Sequence, residues 1–279
     1  MYERYWGLNG SPFQGSNDLR WFIETAAHEE SLARLNFLVE QRRHFGLLRG
    51  PAGTGKSLVL RAARHDAVQR GREVAAIDLF GLDSHEMLWH LAVSLRLSPK
   101  GGCSRWWLWQ AISDHLQALH SAHVPLVLLC DHLERADSDC FSVLERLLHL
   151  DAAQERCLTI LAAARETFED GLFPDLIEHS ELRIELPRLD RMETAQLVRG
   201  LLHRAACPRE VFKSDALTEL FELTAGEPRA IVRLCDVALA AGTHQELNFI
   251  DEFAVRAAAG EVPTVSRRHS SRFEMAGVL

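Results

Sequence analysis

The chain has 279 residues, 47% hydrophobic and 25% charged, enough to bury one large core or two modest ones. Lys and Arg number 31 against 39 Asp and Glu, a net charge of −8 with the 14 histidines neutral, which argues against a long footprint on a polyanion, so DNA is an unlikely partner. No apolar run reaches the roughly 18 residues of a membrane helix, the stretch Met1-Tyr2-Glu3-Arg4-Tyr5-Trp6 has no signal pattern, and six cysteines without a C-x-x-C pair read as reduced thiols; a cytoplasmic protein without a membrane segment is expected.

Residues 2–20 carry Gly7, Gly10, Pro12 and Gly15 among aromatics and read as an irregular arm held down by Trp6, Phe13, Trp21 and Phe22. From Ala26, Leu32, Leu35, Leu38 and Val39 recur at helical steps. Phe45-Gly46-Leu47-Leu48 then reads as a strand entering Gly50-Pro51-Ala52-Gly53-Thr54-Gly55-Lys56-Ser57, and a helical pattern leaves it from Ser57 and Leu58 to about Gln69. The segment fits G-x-x-x-x-G-K-[ST] at every fixed position and in the strand–loop–helix context that the motif requires. Its glycines permit backbone angles that let successive N–H groups line one concavity around a phosphate. Lys56 would add a point charge near the β- and γ-phosphates, and the helix would aim its positive end at the same anion. Gly50 through Leu58 are therefore the expected nucleotide cradle. The plain alternative is a glycine-rich turn.

Glu73 to Leu79 reads as a second strand, and His85 to Leu95 as a helix broken by Ser98-Pro99-Lys100-Gly101-Gly102. The next helical pattern opens on Trp106-Trp107-Leu108-Trp109, whose rings are expected in the core rather than as a stacking platform for bases. Pro125 to Asp131 is an apolar run ending in a carboxylate, the mark of a strand buried on both faces with its carboxyl end at a ligand crevice. Leu158 to Ala164 and Leu182 to Leu186 supply two more strands, and Pro187 ends the pattern. Helices near 191–205, 214–224, 228–241 and 250–259 then read as a small helical domain. The expected organisation is an arm over 1–25, a nucleotide-binding domain over 26–187, a helical lid over 188–260 and a flexible basic tail over 261–279.

Asp131 stands where a carboxylate would hold Mg²⁺ opposite Ser57, with capping of the next helix as the alternative. Arg229 opens a lid helix, from which its guanidinium would reach a γ-phosphate; a surface arginine is its plain reading. Arg183, in or just before the last strand, would act on a neighbouring subunit's nucleotide or form an edge salt bridge.

Tyr5-Trp6-Gly7-Leu8 through Ser11-Pro12-Phe13, His28 to Leu35, the phosphate loop, and Gly226-Glu227-Pro228-Arg229 running to Leu234-Cys235-Asp236 together resemble the ExeA-like AAA+ ATPases of bacterial general secretion. The resemblance extends from near residue 2 to about 260. It implies a five-stranded parallel sheet in the order 5-1-4-3-2 flanked by helices, a helical lid whose sensor arginine falls on Arg229, and ATP with Mg²⁺ as the ligand. It also implies nucleotide-dependent self-association and a protein partner remodelled in assembly or secretion. The membrane segment and peptidoglycan-binding module of longer members do not appear in this sequence. Two positions depart from the family. Asp-Glu is replaced by Asp131-His132-Leu133-Glu134, and Arg165 stands near the position of the other sensor. If the strand ends at Asp131, turnover should be very slow; if it continues, Glu134 would polarise the water. A non-hydrolysing switch and a DNA-transposition ATPase are the rival readings.

Overall fold

The protein is described here by a computed structural model. It covers residues 2–15, 18–152, 157–168 and 180–263, so most of the expected tail lies outside the described residues. The chain divides into two compact units, Met1–Ala27 with Ala52–Gly55 and Pro187–Leu279, and His28–Pro51 with Lys56–Leu186.

The chain opens with a short helix, α1 (Tyr2–Trp6), and the second unit is entered along α2 (Ala26–Glu40). That unit is built on β1 (Phe45–Gly50), β2 (Glu73–Asp78), β3 (Leu126–Asp131), β4 (Leu158–Arg165) and β5 (Ser180–Glu185), all parallel, in the order β2-β3-β4-β1-β5. This is the expected sheet. β3 and β4 are buried and mostly apolar up to their last residues, Asp131 and Arg165, because neighbours cover both faces, whereas β5, on the edge, is mostly polar. Register sets the carboxyl ends level: Gly50 faces Arg165 across β1 and β4, and Asp78 faces Asp131 across β2 and β3. Open α/β sheets bind ligands at that edge.

Helices α3 (Lys56–Gln69), α4 (Ser84–Ser94), α5 (Arg105–Ser121) and α6 (Ser138–Ala152) complete the unit. Asp83 and Glu86 close a capping box at the start of α4, which satisfies two backbone N–H groups there. On α5, Leu108, Ile112 and Leu116 face the core at four-residue steps. The expectation for the tryptophan cluster is corrected for two of its rings. Trp106 is 71% exposed and Trp107 39%, because one and two residues before Leu108 the helix has turned them off the buried face. Trp109 is partly buried against the core and carries the Arg146 guanidinium 3.8 Å from its ring centre.

The first unit has its own core, made by α7 (Arg191–Arg204), α8 (Ser214–Thr224), α9 (Pro228–His244) and α10 (Glu252–Ala259). Asp190 and Glu193 form a second capping box, and Asp251 caps α10. The arm belongs to this unit and is not irregular throughout. Trp6 of α1 is 1% exposed, its Nε1 donates to the Leu239 carbonyl at 3.0 Å, and the Tyr2 hydroxyl donates to Asp236 Oδ1 at 2.6 Å. No helix among the described residues is long and apolar enough to cross a membrane.

Candidate functional site

The loop after β1 is shaped by close backbone approaches. Leu186 donates its N–H to the Arg49 carbonyl at 2.7 Å, and a Cβ on Gly50 would lie 2.3 Å from the Leu186 carbonyl oxygen, so no larger residue fits there. Gly53 adopts φ +81 and Gly55 φ +105, angles that L side chains rarely accept. Thr54 between them is fully buried.

Helix α3 begins at Lys56, one residue before the sequence suggests, with Ser57 and Leu58 in its first turn. Lys56 Nζ donates to the carbonyls of Gly50 at 2.7 Å and Pro51 at 2.8 Å, which holds the ammonium within the loop. First-turn N–H groups have no acceptor inside their own helix, and the helix dipole adds positive potential at that end. Donors, a cation and a tight glycine-bearing turn at one place suit a ligand with several anionic oxygens.

The loop tip has partners from α9. Gly53 accepts the Arg229 N–H at 3.3 Å, and a Cβ on Gly53 would sit 2.6 Å from Glu227 Oε1. Glu227 Oε2 is in turn 3.5 Å from Arg188 Nη1. Arg229 is exposed at the second position of α9, whose N1 residue is Pro228.

Asp131 ends β3, two strand spacings or about 10 Å across the sheet from β1. Its Oδ1 accepts the N–H of His132 at 2.9 Å rather than capping α6. Beside it, burial and the Asp131 charge push the Cys130 thiol up to about 12. Ser57 and Asp131 offer a hydroxyl and a carboxylate, the hard oxygen donors that Mg²⁺ takes when phosphate and water complete its shell. Among the described residues no group of three or more His, Cys, Asp or Glu is placed to hold a metal by protein ligands alone.

The strand ends at Asp131, so the first of the two cases for the following residues is the one observed. His132 turns left-handed with φ 55, a conformation that costs a non-glycine residue about 1–2 kcal/mol, and a single 3-10 turn over Leu133–Arg135 follows. Glu134 is drawn to Arg165 at the end of β4: Oε1 lies 3.1 Å from Arg165 Nε, and Oε2 accepts the Arg165 N–H at 3.2 Å. The imidazole of His132 instead places Nδ1 2.8 Å from Asp78 Oδ1 at the end of β2. Sequence reasoning misses Asp78, although an apolar strand ending in Asp is the same signal that marks Asp131.

The sheet thus brings Gly50, Asp131, His132, Glu134 and Arg165 to one edge. Arg183 does not join them. It lies on β5 opposite Leu47, three residues before the end of β1, and is exposed on the sheet's edge strand.

Residues 39–170 match the family described as AAA domain. The chain is 28% identical over 253 residues to General secretion pathway protein A of Aeromonas hydrophila, a match covering 88% of this chain and 46% of that protein. It therefore spans a little under half the length of that relative. Among solved structures it is similar to Cdc6p from Pyrobaculum aerophilum, with a TM-score of 0.71 at 17% identity over 90% of this chain and 70% of that one. The Aeropyrum pernix ORC2 protein in its ADPNP-ADP complexes gives 0.68 at 14% identity over 85% and 68%. The Thermotoga maritima RuvB Holliday junction branch migration motor gives 0.57 at 15% identity over 90% and 73%. At these identities the structural likeness is one of fold. Sheet order and fold likeness bear out the AAA+ architecture, and the General secretion pathway protein A match bears out the family resemblance read from the sequence.

Proposed function

We propose that this chain, an AAA+ fold similar to General secretion pathway protein A, binds ATP with Mg²⁺ through Gly50 to Leu58 and hydrolyses it slowly or when stimulated by a partner. The observation that carries the reading is the Lys56 ammonium held in a glycine-bearing turn at the start of α3, on the same sheet edge as Asp131. The fold relative described with ADPNP and ADP supports a nucleoside polyphosphate as the ligand. Ser57 and Asp131 would hold Mg²⁺, whose charge offsets that of the phosphate oxygens. Arg229 is assigned to sensing the γ-phosphate from the helical lid, Arg165 to the sheet-side sensor position, and Arg183 to contact with a neighbouring copy. A protein partner in secretion is inherited from the relative's name, whereas the cytoplasmic location is carried by the cysteines, which are free thiols among the described residues.

Slow turnover follows from the residues after Asp131. Hydrolysis needs a group that orients water toward the γ-phosphate. The carboxylate of Glu134 is engaged by Arg165, which leaves the imidazole of His132, directly after Asp131 in the chain, as the other candidate. The same engagement favours the second reading, a nucleotide-dependent switch that does not hydrolyse.

Calorimetry tests the ligand. Wild type should bind MgATP, and Lys56→Ala should lose at least ten-fold in affinity, since a charged hydrogen bond to phosphate contributes about 1.5–3 kcal/mol. Equal affinity in the two proteins would remove the assignment of the loop.

A further inference from the structure

We propose that the segment from Arg267 to Phe273 of this chain docks in a groove of the helical unit, between the α9–α10 connection and α10 itself, with its arginines beside Glu246 and Asp251 and Phe273 against Phe249 and Phe253. The inference is independent of the ATP reading.

The groove follows from which residues local packing turns inward. The connection is pinned at Ile250, which is fully buried: its N–H donates to the Val211 carbonyl at 2.7 Å, and its carbonyl accepts the Lys213 N–H at 3.0 Å. Its neighbour Phe249 is left 40% exposed. On α10, Val255, Ala258 and Ala259 face the core, so Phe253, two residues before Val255, is turned off that face and is 68% exposed. The two rings, with Leu247 and Ala257, line a cavity of about 460 Å³, a volume usual for a binding pocket. Large aromatic side chains lining an open cavity mark an interaction surface.

Charge and reach select the occupant. Glu246 and Asp251 stand in the lining, and no Lys or Arg does. Two cations beside it are engaged: Lys213 Nζ lies 3.3 Å from the Phe249 ring centre, and Arg256 donates to Glu219 at 2.8 and 3.0 Å and to Glu252 at 3.4 Å. A fitting ligand is therefore basic with an aromatic anchor. Residues 264–279 supply Arg267, Arg268, Arg272 and Phe273 against a single acidic side chain, Glu274. The chain enters them from this same unit, since Val262 is 4% exposed within its core. With eight residues α10 is about 12 Å long, and Thr264 to Arg267 extend over up to ~13 Å, so the arginines return to the Asp251 end with residues to spare before Phe273. Each ion pair in so open a groove contributes little by itself. A tether of this length holds the segment at an effective concentration on the order of millimolar, which populates a contact too weak for a separate peptide.

The test places benzoylphenylalanine at Phe273 of the full chain and maps photo-cross-links by mass spectrometry, with ¹⁵N-labelled and unlabelled chains mixed at micromolar concentration. Cross-links should fall in residues 245–257 of the same molecule. Glu246→Lys should lower their yield about five-fold or more, and adding Arg267→Glu and Arg268→Glu to that variant should restore most of it. Phe253→Ser should lower the yield likewise. Hydrogen exchange of the α9 amides, unchanged in these surface variants, separates loss of docking from loss of fold. Mixed-isotope cross-links, which make the occupant a second copy, overturn the proposal. So do cross-links spread over other parts of the chain, an absence of cross-links, or yields that stay within about two-fold of wild type in both Glu246→Lys and Phe253→Ser.

Discussion

Gly226 and Ala225 are adjacent, both left-handed, and should respond to exchange in opposite directions. At Gly226, φ is +70 and a Cβ would fall 1.9 Å from the Leu189 carbonyl oxygen, a backbone atom. The same crossing is held by the Leu189 N–H donating to the Gly226 carbonyl at 2.9 Å. Gly226→Ala therefore adds a left-handed penalty of about 1–2 kcal/mol, a forced backbone shift of about 1 kcal/mol or more, and a weakened hydrogen bond of about 1 kcal/mol, roughly 3 kcal/mol in all. Ala225, exposed at the C-terminal cap of α8 with φ 50, already bears the left-handed penalty. Ala225→Gly removes about 1–2 kcal/mol of strain and costs about 0.5–1 kcal/mol in unfolded-state entropy, a net gain of about 0.5–1 kcal/mol. Hydrogen exchange of the α9 amides from Leu234 to Ala238 reads this helical unit regardless of the other. Protection there should fall about a hundred-fold in Gly226→Ala and rise a few-fold in Ala225→Gly. Protection within three-fold of wild type in Gly226→Ala, or a loss in Ala225→Gly, would refute the argument from backbone geometry.

Two further outcomes concern the sheet unit. Leu108, fully buried, should cost about 3 kcal/mol when cut to Ala, whereas Trp106→Ala, at a ring 71% exposed, should stay within about 0.5 kcal/mol; urea unfolding compares them, and a larger loss at Trp106 would return that ring to the core. Burial raises Cys130 to about 12 and Cys140 to about 11, so near pH ~8 roughly one in ten thousand Cys130 thiols and one in a thousand Cys140 thiols would be thiolate. Iodoacetamide should accordingly label half-buried Cys103 and Cys207 first and reach Cys130 and Cys140 only on unfolding; labelling of Cys130 in the folded protein at the rate of Cys103 would contradict the burial.

Features whose cause lies within a few residues are legible in the amino-acid sequence itself. The glycine-rich loop after β1 is one, since its glycines, Lys56 and Ser57 are neighbours and their context is a strand and a helix. β3 and β4 are another, because burial on both faces writes itself as a nearly continuous apolar run. β5 begins two residues earlier than its apolar pattern indicates, since the edge leaves Ser180 and Glu181 polar and exempt from that rule. Helix α1 leaves no such mark because five residues do not sustain a helix by propensity; contacts with Leu239 and Asp236, more than 230 residues away, hold it. The fate of the residues after Asp131 belongs to the same class. Glu134 has the chemistry to polarise water, but the end of β3, the left-handed turn at His132 and the pull of Arg165 decide where its carboxylate goes. His132 has weaker chemistry, yet Asp78, 54 residues earlier in the chain, orients it. Residue identity therefore restricts what each group after Asp131 can do, and pairing across strands decides where it is held, which is why the positions of His132 and Glu134 cannot be read without Asp78 and Arg165.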